Sequence, residues 1–531
     1  MRNLELPGRS PAHGLQGMAA TSHTLSTLTA VNILQKGGNA LDAAMAACAV
    51  QCVVEPESTG LGGDCFCLYS PAGADEPIAF NGSGRAPAAA TVEWYLDKGI
   101  TSIERQTPHA ATVPAAVDAW CQLNRDHGKL DLGELLQPAI QYARDGYPVS
   151  SRVSVDFAAQ ADALAKDPNL KRVFMPNGRT PGVGEMHRQP ELAATLQAVA
   201  DNGREAFYTG AIADDMVSYL QSLGGLHTME DFANSVGDYV TPISTEYRGH
   251  TVWECPPNGQ GVIALLLLNI MAGYDAAGVD PTSVERLHLE IEAGRLAYQD
   301  RNVFVADPNK ADVPTDWLLS DAHAAELRAH IDPDSGMDTL PPVALPNHED
   351  TVYISVVDKD RNACSFINTL FNNFGAALMA PKSGITFTNR AQGFVVEPSH
   401  RNCIAPNKRP LHTIIPGMVS KGGRAVMPFG VMGGQYQSFG HMHFLSRFFD
   451  FGMDIQEAQD APRIFPIAGT RQVEIESGVP AATVESLKKL GHQPVKPGKP
   501  IGGSQAIWID WERGILTGGS EPRKDGCAIG Y

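Results

Sequence analysis

The 531-residue chain has no Cys-x-x-Cys pair, no long hydrophobic run and no surplus of basic residues. Its 41 Lys+Arg against 59 Asp+Glu give a formal net charge of −18. A nucleic-acid partner is therefore not expected, because phosphate binding needs a basic face that releases counterions. A small anionic substrate stays open, since one well-placed arginine can dominate a local field. The opening residues, MRNLELPGRSPAHGLQGMAA, contain no apolar stretch that could form a signal-peptide core. The longest apolar run, Val262 to Leu268 with a weak extension to Ala272, is too short to cross a bilayer and reads as a buried helix. Nine cysteines is an odd number, and they are scattered. Cys65-x-Cys67 places both side chains on one face of a strand, which is poor spacing for zinc. They read as small buried hydrophobes in a reducing compartment, so the expected location is cytoplasmic and no membrane partner is expected. No internal repeat is visible, which removes solenoids and propellers.

What is present is a chain able to bury a large core, with 43% hydrophobic and 19% charged residues. Residues 17–21 read as a short strand. Gly37-Gly38-Asn39 forms the entry loop to a small-residue helix over 41–50, whose alanines suit tight packing against a sheet. Ser58-Thr59-Gly60-Leu61-Gly62-Gly63-Asp64 is a Gly-rich turn leading into an alternating strand, 65–69. Because it precedes a strand, rather than joining a strand to a helix, it is a weak dinucleotide signal. From about 110 to 330 the pattern reads as mostly helical, with amphipathic stretches at 134–145, 190–201, 211–223 and 283–303.

Residues 331–350 (IDPDSGMDTLPPVALPNHED) change character. Pro, Asp and Gly dominate, and the segment reads as an exposed flexible linker. Directly after it, 351–358 is a β-branched strand, and a turn at 359–362 leads to a second strand, 363–370. A threonine thus opens a buried hairpin at the end of a linker. Its hydroxyl is a weak nucleophile unless a base takes its proton, and one compact solution makes Thr351 the first residue of its chain, so that its own α-amine is the base. That amine titrates at about 7.7–8.0, near neutrality. The arrangement requires cleavage between Asp350 and Thr351. Thr-Val-Tyr-Ile would then be a new start.

With these features in order, the sequence resembles the γ-glutamyltransferase family of N-terminal-nucleophile hydrolases. The resemblance runs from Gly17 to Gly530-Tyr531. It is carried by Gly37-Gly38-Asn39-Ala40-Leu41-Asp42-Ala43-Ala44, Gly60-Leu61-Gly62-Gly63-Asp64, Thr351 with Ser355-Val356-Val357-Asp358, Asn407-Lys408-Arg409-Pro410-Leu411, Gly433-Gly434 and Pro522-Arg523-Lys524-Asp525-Gly526. It implies an α+β, four-layer αββα sandwich built from both halves of a self-cleaved chain. The large subunit would be 1–350, including the linker, and the small subunit 351–531, associated as a heterodimer, with a dimer of heterodimers left open. It also implies that Thr351 is the nucleophile, that Thr369 hydrogen-bonds it, that Gly433 and Gly434 form the oxyanion hole, and that Arg85 clamps a substrate carboxylate. No metal or cofactor is implied. His441-x-His443 lacks a convincing third ligand, and both histidines read as satisfied structural residues.

The chain also departs from the family. Where the family holds a substrate α-ammonium with an Asn, a Gln or Glu, and an Asp, it has Phe371, Arg390 and Gly393; where the family has two serines, it has His412 and Thr413. An ammonium without its carboxylate partner in a closed site would be costly. Arg85, Arg390 and His412, with Thr413 and Phe371, instead describe a small pocket for a carboxylate with no adjacent amine. Two branches of the family are similar in this respect: oxamate amidohydrolase, and acylases that remove glutaryl side chains from cephalosporins. Asp350-Thr351-Val352-Tyr353 looks more like the former. The expected activity is hydrolysis of the amide of a small carboxylate, with oxamate as the named guess. The alternatives are glutathione hydrolysis or γ-glutamyl transfer, a glutaryl acylase, and a non-catalytic scaffold retaining the fold.

Overall fold

The computed structural model describes residue 5, residues 8–338, residue 340 and residues 351–531. Two seven-stranded sheets form its centre. One runs in the order Cys527–Gly530, Met18–Thr21, Val352–Val357, Ala363–Thr369, Asp64–Ser70, Ile78–Gly82, Asp238–Val240. The other runs Ala12–Gly14, Ile515–Ser520, Gly503–Asp510, Ala425–Met432, Gly417–Ser420, His250–Glu254, Ile243–Tyr247. Neighbouring strands in both are antiparallel.

Three apolar cores separate four layers, which is the expected αββα sandwich. Phe66, Leu68, Tyr353 and Ile367 of the first sheet meet Met418, Met432 and Ile507 of the second. Cys65, Cys67, Tyr69, Ile354 and Val356 point the other way, into a core shared with the helices Ala40–Val54, Leu132–Asp145 and Pro190–Tyr208. This alternation is the period of two that a strand imposes. On the far side, Gly261–Ala272, Val284–Phe304 and Gln437–Phe449 cover the second sheet. The same parity puts residues 351 and 369 on the face that looks toward the second sheet, with Asp64 beside them.

Local signals account for the elements that position this face. The Ala-rich helix begins at a capping box, in which Asn39 Oδ1 accepts from the Asp42 N–H and Asp42 Oδ2 accepts from the Asn39 N–H. Its fifteen residues are all buried, and small side chains allow that closeness. The apolar run becomes the buried helix Gly261–Ala272, and no helix among the described residues is long and apolar enough to cross a membrane.

The 110–330 stretch is mostly helical, as expected, but also holds the strands Asp238–Val240, Ile243–Tyr247 and His250–Glu254, the last two joined by a turn with Arg248 and Gly249 at positive φ. One expectation is corrected: the linker is not free at its start. The Arg295 Nη atoms donate to the carbonyls of Met337 and Asp338, the Met337 N–H donates to Glu292, and the Gly336 N–H to the Leu490 carbonyl. Residues 341–350, including Asp350 of the expected cleavage site, lie outside the described residues.

Candidate active site

The register of the first sheet builds the site. Val352 pairs with Asn368, and Thr369 pairs with Asp64, so Thr351, Thr369 and Asp64 line up across three adjacent strands. Directly opposed residues project to the same side. All three are buried. Thr351 Oγ1 lies 3.3 Å from Thr369 Oγ1, and Thr369 Oγ1 accepts from the Phe371 N–H at 2.9 Å. The Gly-rich turn packs against this strand: a Cβ on Gly63 would fall 2.0 Å from the Thr369 carbonyl oxygen, so only glycine fits. The turn hugs the hairpin and accounts for the motif without any phosphate.

The second sheet supplies the other wall. After Ala425–Met432 the chain turns through Gly433 (φ 118°) and Gly434 (φ 55°) into a short 3-10 turn and then the helix Gln437–Phe449. A Cβ on Gly433 would meet Gly502 Cα at 2.7 Å. The turn therefore leads directly into a helix N-terminus, where negative charge is favoured. Gln437 then reaches the hairpin: its Nε2 donates to Thr351 Oγ1 at 3.3 Å, while its Oε1 accepts from the Ile415 N–H. One turn later His441 is bonded to Glu254 at 2.6 Å and accepts from the Val431 N–H. Among the described residues no group of His, Cys, Asp and Glu is arranged to hold a metal.

Beside Thr369 lies a charged cluster. Arg390 is fully buried, its guanidinium 3.9 Å from the ring centroid of Phe371, a stacking contact that suits a planar cation. Nη1 donates to Thr413 Oγ1 at 3.0 Å. Nε lies 3.5 Å from Asp64 Oδ2 without hydrogen-bond geometry, and Nη2 has no partner either among the described residues. Burial lowers the guanidinium to about 9, against the pull of Asp64. Phe371 reaches its place through a left-handed backbone, φ 80°, in a loop where Phe374 (58°) and Ala377 (49°) are also left-handed. Such strain persists only where surrounding contacts impose it. Here Arg105 binds the carbonyls of Gly375 and Asn373.

Asp64 is central. Its Oδ1 accepts from the Gly84 N–H at 2.7 Å and its Oδ2 faces His412 Nε2 at 3.0 Å. Burial alone would raise this carboxyl; the His412 hydrogen bond, Arg390 and the Gly84 N–H hold it below the usual range. Burial and then Arg390 push His412 down to about 4. The ring is thus neutral near pH 7, and since Nδ1 accepts from the Ile414 N–H, the proton sits on Nε2.

The residues expected from sequence sort as follows. Thr351, Thr369, Phe371, Arg390, His412 and Thr413 form one contiguous cluster with Asp64. His412 and Thr413 brace Asp64 and Arg390 rather than offering free donors. Arg85 is a correction: its side chain is 25% exposed, its Nη2 donates to Asp238 at 3.1 Å, and Asp238 also takes Arg409 at 2.7 Å. A carboxylate already occupies the guanidinium expected to act as the clamp. Gln437 and Asp64 were not among the expected site residues. Asp64 had a readable signal, an acid directly after a Gly-rich turn and at a strand start. Gln437 had none.

Comparison with known proteins shows the family. The family model of gamma-glutamyltranspeptidase matches residues 26–531. The "Glutathione hydrolase-like YwrD proenzyme" of Bacillus subtilis (strain 168) is 37% identical, covering 97% of this chain and 99% of its own. The "Oxamate amidohydrolase proenzyme" of Klebsiella pneumoniae is 32% identical, covering 97% and 98%. The crystal structure of cephalosporin acylase from Bacillus halodurans superposes with a TM-score of 0.93 at 37% identity, covering 100% and 99%. With a buried threonine opening the central hairpin, Gln437 reaching it from the helix that follows the diglycine turn, and this match over nearly its whole length, the chain belongs to the gamma-glutamyltranspeptidase family and is an N-terminal-nucleophile hydrolase.

Proposed function

We propose that the chain cleaves itself between Asp350 and Thr351, and that the mature heterodimer of 1–350 and 351–531 hydrolyses the amide of a small carboxylate, with oxamate as the best named substrate. The reading rests on Arg390. It is a fully buried cation whose Nε, 3.5 Å from Asp64 Oδ2, and Nη2 make no hydrogen bond among the described residues, stacked on a residue whose own N–H is bonded to Thr369. A substrate carboxylate would satisfy those donors one residue away from the nucleophile pair. The nearby carboxylate that could hold an ammonium, Asp64, is committed to Gly84, His412 and Arg390, which disfavours a γ-glutamyl group.

After cleavage the free α-amine of Thr351 takes the proton from its own Oγ1 as that oxygen attacks the amide carbon. Thr369 and Gln437 fix the hydroxyl through hydrogen bonds. The developing oxyanion is met by N–H groups of the Gly433–Gly434 turn, a kind of contact whose removal costs about 3–4 kcal/mol in comparable sites. The α-ammonium returns its proton to the leaving amine, and water then releases the acid from acyl-Thr351. From oxamate the products are oxalate and ammonia. Phe371 closes the carboxylate end of the pocket, which favours a short acyl group.

The second reading is a glutaryl-type acylase, favoured by the likeness to a cephalosporin acylase over the full length. A panel of oxamate, glutaryl amides and glutathione, assayed on processed protein, tests the choice. Release of ammonia from oxamate is expected to be fastest, and faster release of glutamate from glutathione would overturn the pocket argument.

A further inference from the structure

A buried cation is hydrogen-bonded to the residues around the diglycine turn. Arg301, on the helix Val284–Phe304, is buried, and its guanidinium meets side-chain amide oxygens: Asn302 Oδ1 at 2.9 and 3.0 Å, Gln260 Oε1 at 2.9 Å, and Gln435 Oε1. It lies over the Tyr298 ring at 4.5 Å, and it has no ion pair among the described residues. Burial lowers it to about 10. A buried charge left unmatched is expensive, and it is worth keeping where an anion forms nearby.

Its partners lead straight to the turn. Gln260 Nε2 donates to the carbonyls of Gly434 at 2.8 Å and Thr413 at 2.9 Å. Tyr298 Oη donates to the carbonyl of Gln435. The carbonyls of Gly434 and Gln435 are thus drawn back toward Gln260 and Tyr298, which fixes the two peptides that follow the diglycine; the Gly433 carbonyl, in the peptide that carries the Gly434 N–H, accepts from the Tyr436 N–H at 3.0 Å. Gln260 also ties the turn to Thr413, the residue that accepts from Arg390.

We propose that Arg301, acting through Gln260 and Gln435, is the positioning residue of the oxyanion turn: it anchors the Gly434–Gln435 peptide, and with it the diglycine whose N–H groups donate, and lends the turn positive potential while the anion exists. This rests on the hydrolase reading above. The device joins the two halves of the chain, since Gln260 and Arg301 precede the cleavage site and Thr413, Gly434 and Gln435 follow it. It acts on the transition state, where preorganised donors matter most.

The test uses the full chain carrying Arg301→Gln, Arg301→Lys or Gln435→Ala, each checked for processing on a denaturing gel and for melting temperature. Kinetics are measured on whichever amide of the panel is turned over best. Processed Arg301→Gln is expected to lose about 10- to 100-fold in kcat with KM within about threefold, and Arg301→Lys, which keeps the charge, to recover most of that loss. Unchanged kcat in Arg301→Gln, or a loss that appears only in KM, overturns the proposal. If Arg301→Gln does not fold, Gln435→Ala at the half-buried turn decides instead: an unchanged kcat there overturns it equally. Failure of the underlying reading is distinguishable, because Thr351→Ala would then remain active.

Discussion

Thr369 stands directly opposite Asp64 in the pairing of Ala363–Thr369 with Asp64–Ser70, so a single strand separates the Asp64 carboxylate from the hydroxyl of Thr351. That carboxylate does not act on the hydroxyl. It is turned toward His412 and Arg390, and the nucleophile is left to Thr369, Gln437 and, after cleavage, its own amine. Under the proposed reading the two tasks are divided: the amide is opened on the hairpin, and the carboxylate is held by Arg390 in the 3-10 turn Arg390–Gly393, braced by Asp64 of the adjoining strand.

Thr351→Ala is expected to remain a single full-length band on a denaturing gel and to be inactive, whereas the parent gives two bands. Terminal sequencing of the smaller piece should begin Thr-Val-Tyr-Ile. Normal cleavage of the Ala variant would mean that the scissile bond lies elsewhere.

Thr369→Val removes the oxygen 3.3 Å from Thr351 Oγ1 and strands the buried Phe371 N–H. An unsatisfied buried donor costs about 1–3 kcal/mol, so the melting temperature should fall together with kcat. Thr369→Ser, which keeps the oxygen, should restore most of both. Gln437→Leu should also lower kcat, and because it strands the buried Ile415 N–H its melting temperature should fall as well. Equal activity of the Val and Ser variants would remove Thr369 from the chemistry.

Arg390→Leu takes away the carboxylate partner, and charge-assisted bonds of this kind are worth about 1.5–3 kcal/mol, so KM should rise roughly 10- to 100-fold with a smaller change in kcat. Because this change also leaves Asp64 buried without its cation, Arg390→Leu combined with Asp64→Asn should recover stability but not KM. A KM that stays flat for every amide in the panel would show that Arg390 does not hold the substrate.

His412 makes a pH prediction. Its folded pKa is depressed from 6.5 to about 4, so between those values the unfolded chain takes up a proton that the buried ring refuses. Its contribution to stability is complete above about pH 6.5 and is lost as the pH falls toward 4. Urea unfolding from pH 6.5 to 4.5 should show a steeper loss for the parent than for His412→Gln, by at most about 1.4 kcal/mol per pH unit. Parallel slopes would mean that the ring is charged in the fold.

Sequence reading reached the hairpin and the Ala-rich helix because each depends on local chemistry, β-branched runs and small residues after a Gly-Gly-Asn loop; the diglycine turn was marked by the resemblance to the family. It missed the strands 243–247 and 250–254, although Ile243 to Glu254 is rich in β-branched and aromatic residues around an Arg-Gly turn, because strong helical patterns flank them. Arg85 was misjudged for another reason. Small neighbours at 82–84 say that a guanidinium has room, but not that Asp238, about 150 residues away in sequence, already fills it. Gln260, Arg301 and Gln437 could not be read at all, since nothing near them in sequence marks an amide or a cation as facing a turn formed elsewhere in the chain.

The first sheet alternates ownership: Cys527–Gly530, then Met18–Thr21, then Val352–Val357 and Ala363–Thr369, then Asp64–Ser70. Cutting ahead of residue 351 therefore opens no seam. The two products share ladders on both sides of the cut, and neither has a complete sheet of its own. Dilution, which parts ordinary subunits by mass action, has no weak boundary here on which to act, and the two pieces made separately would each carry naked edges that only the other can cover.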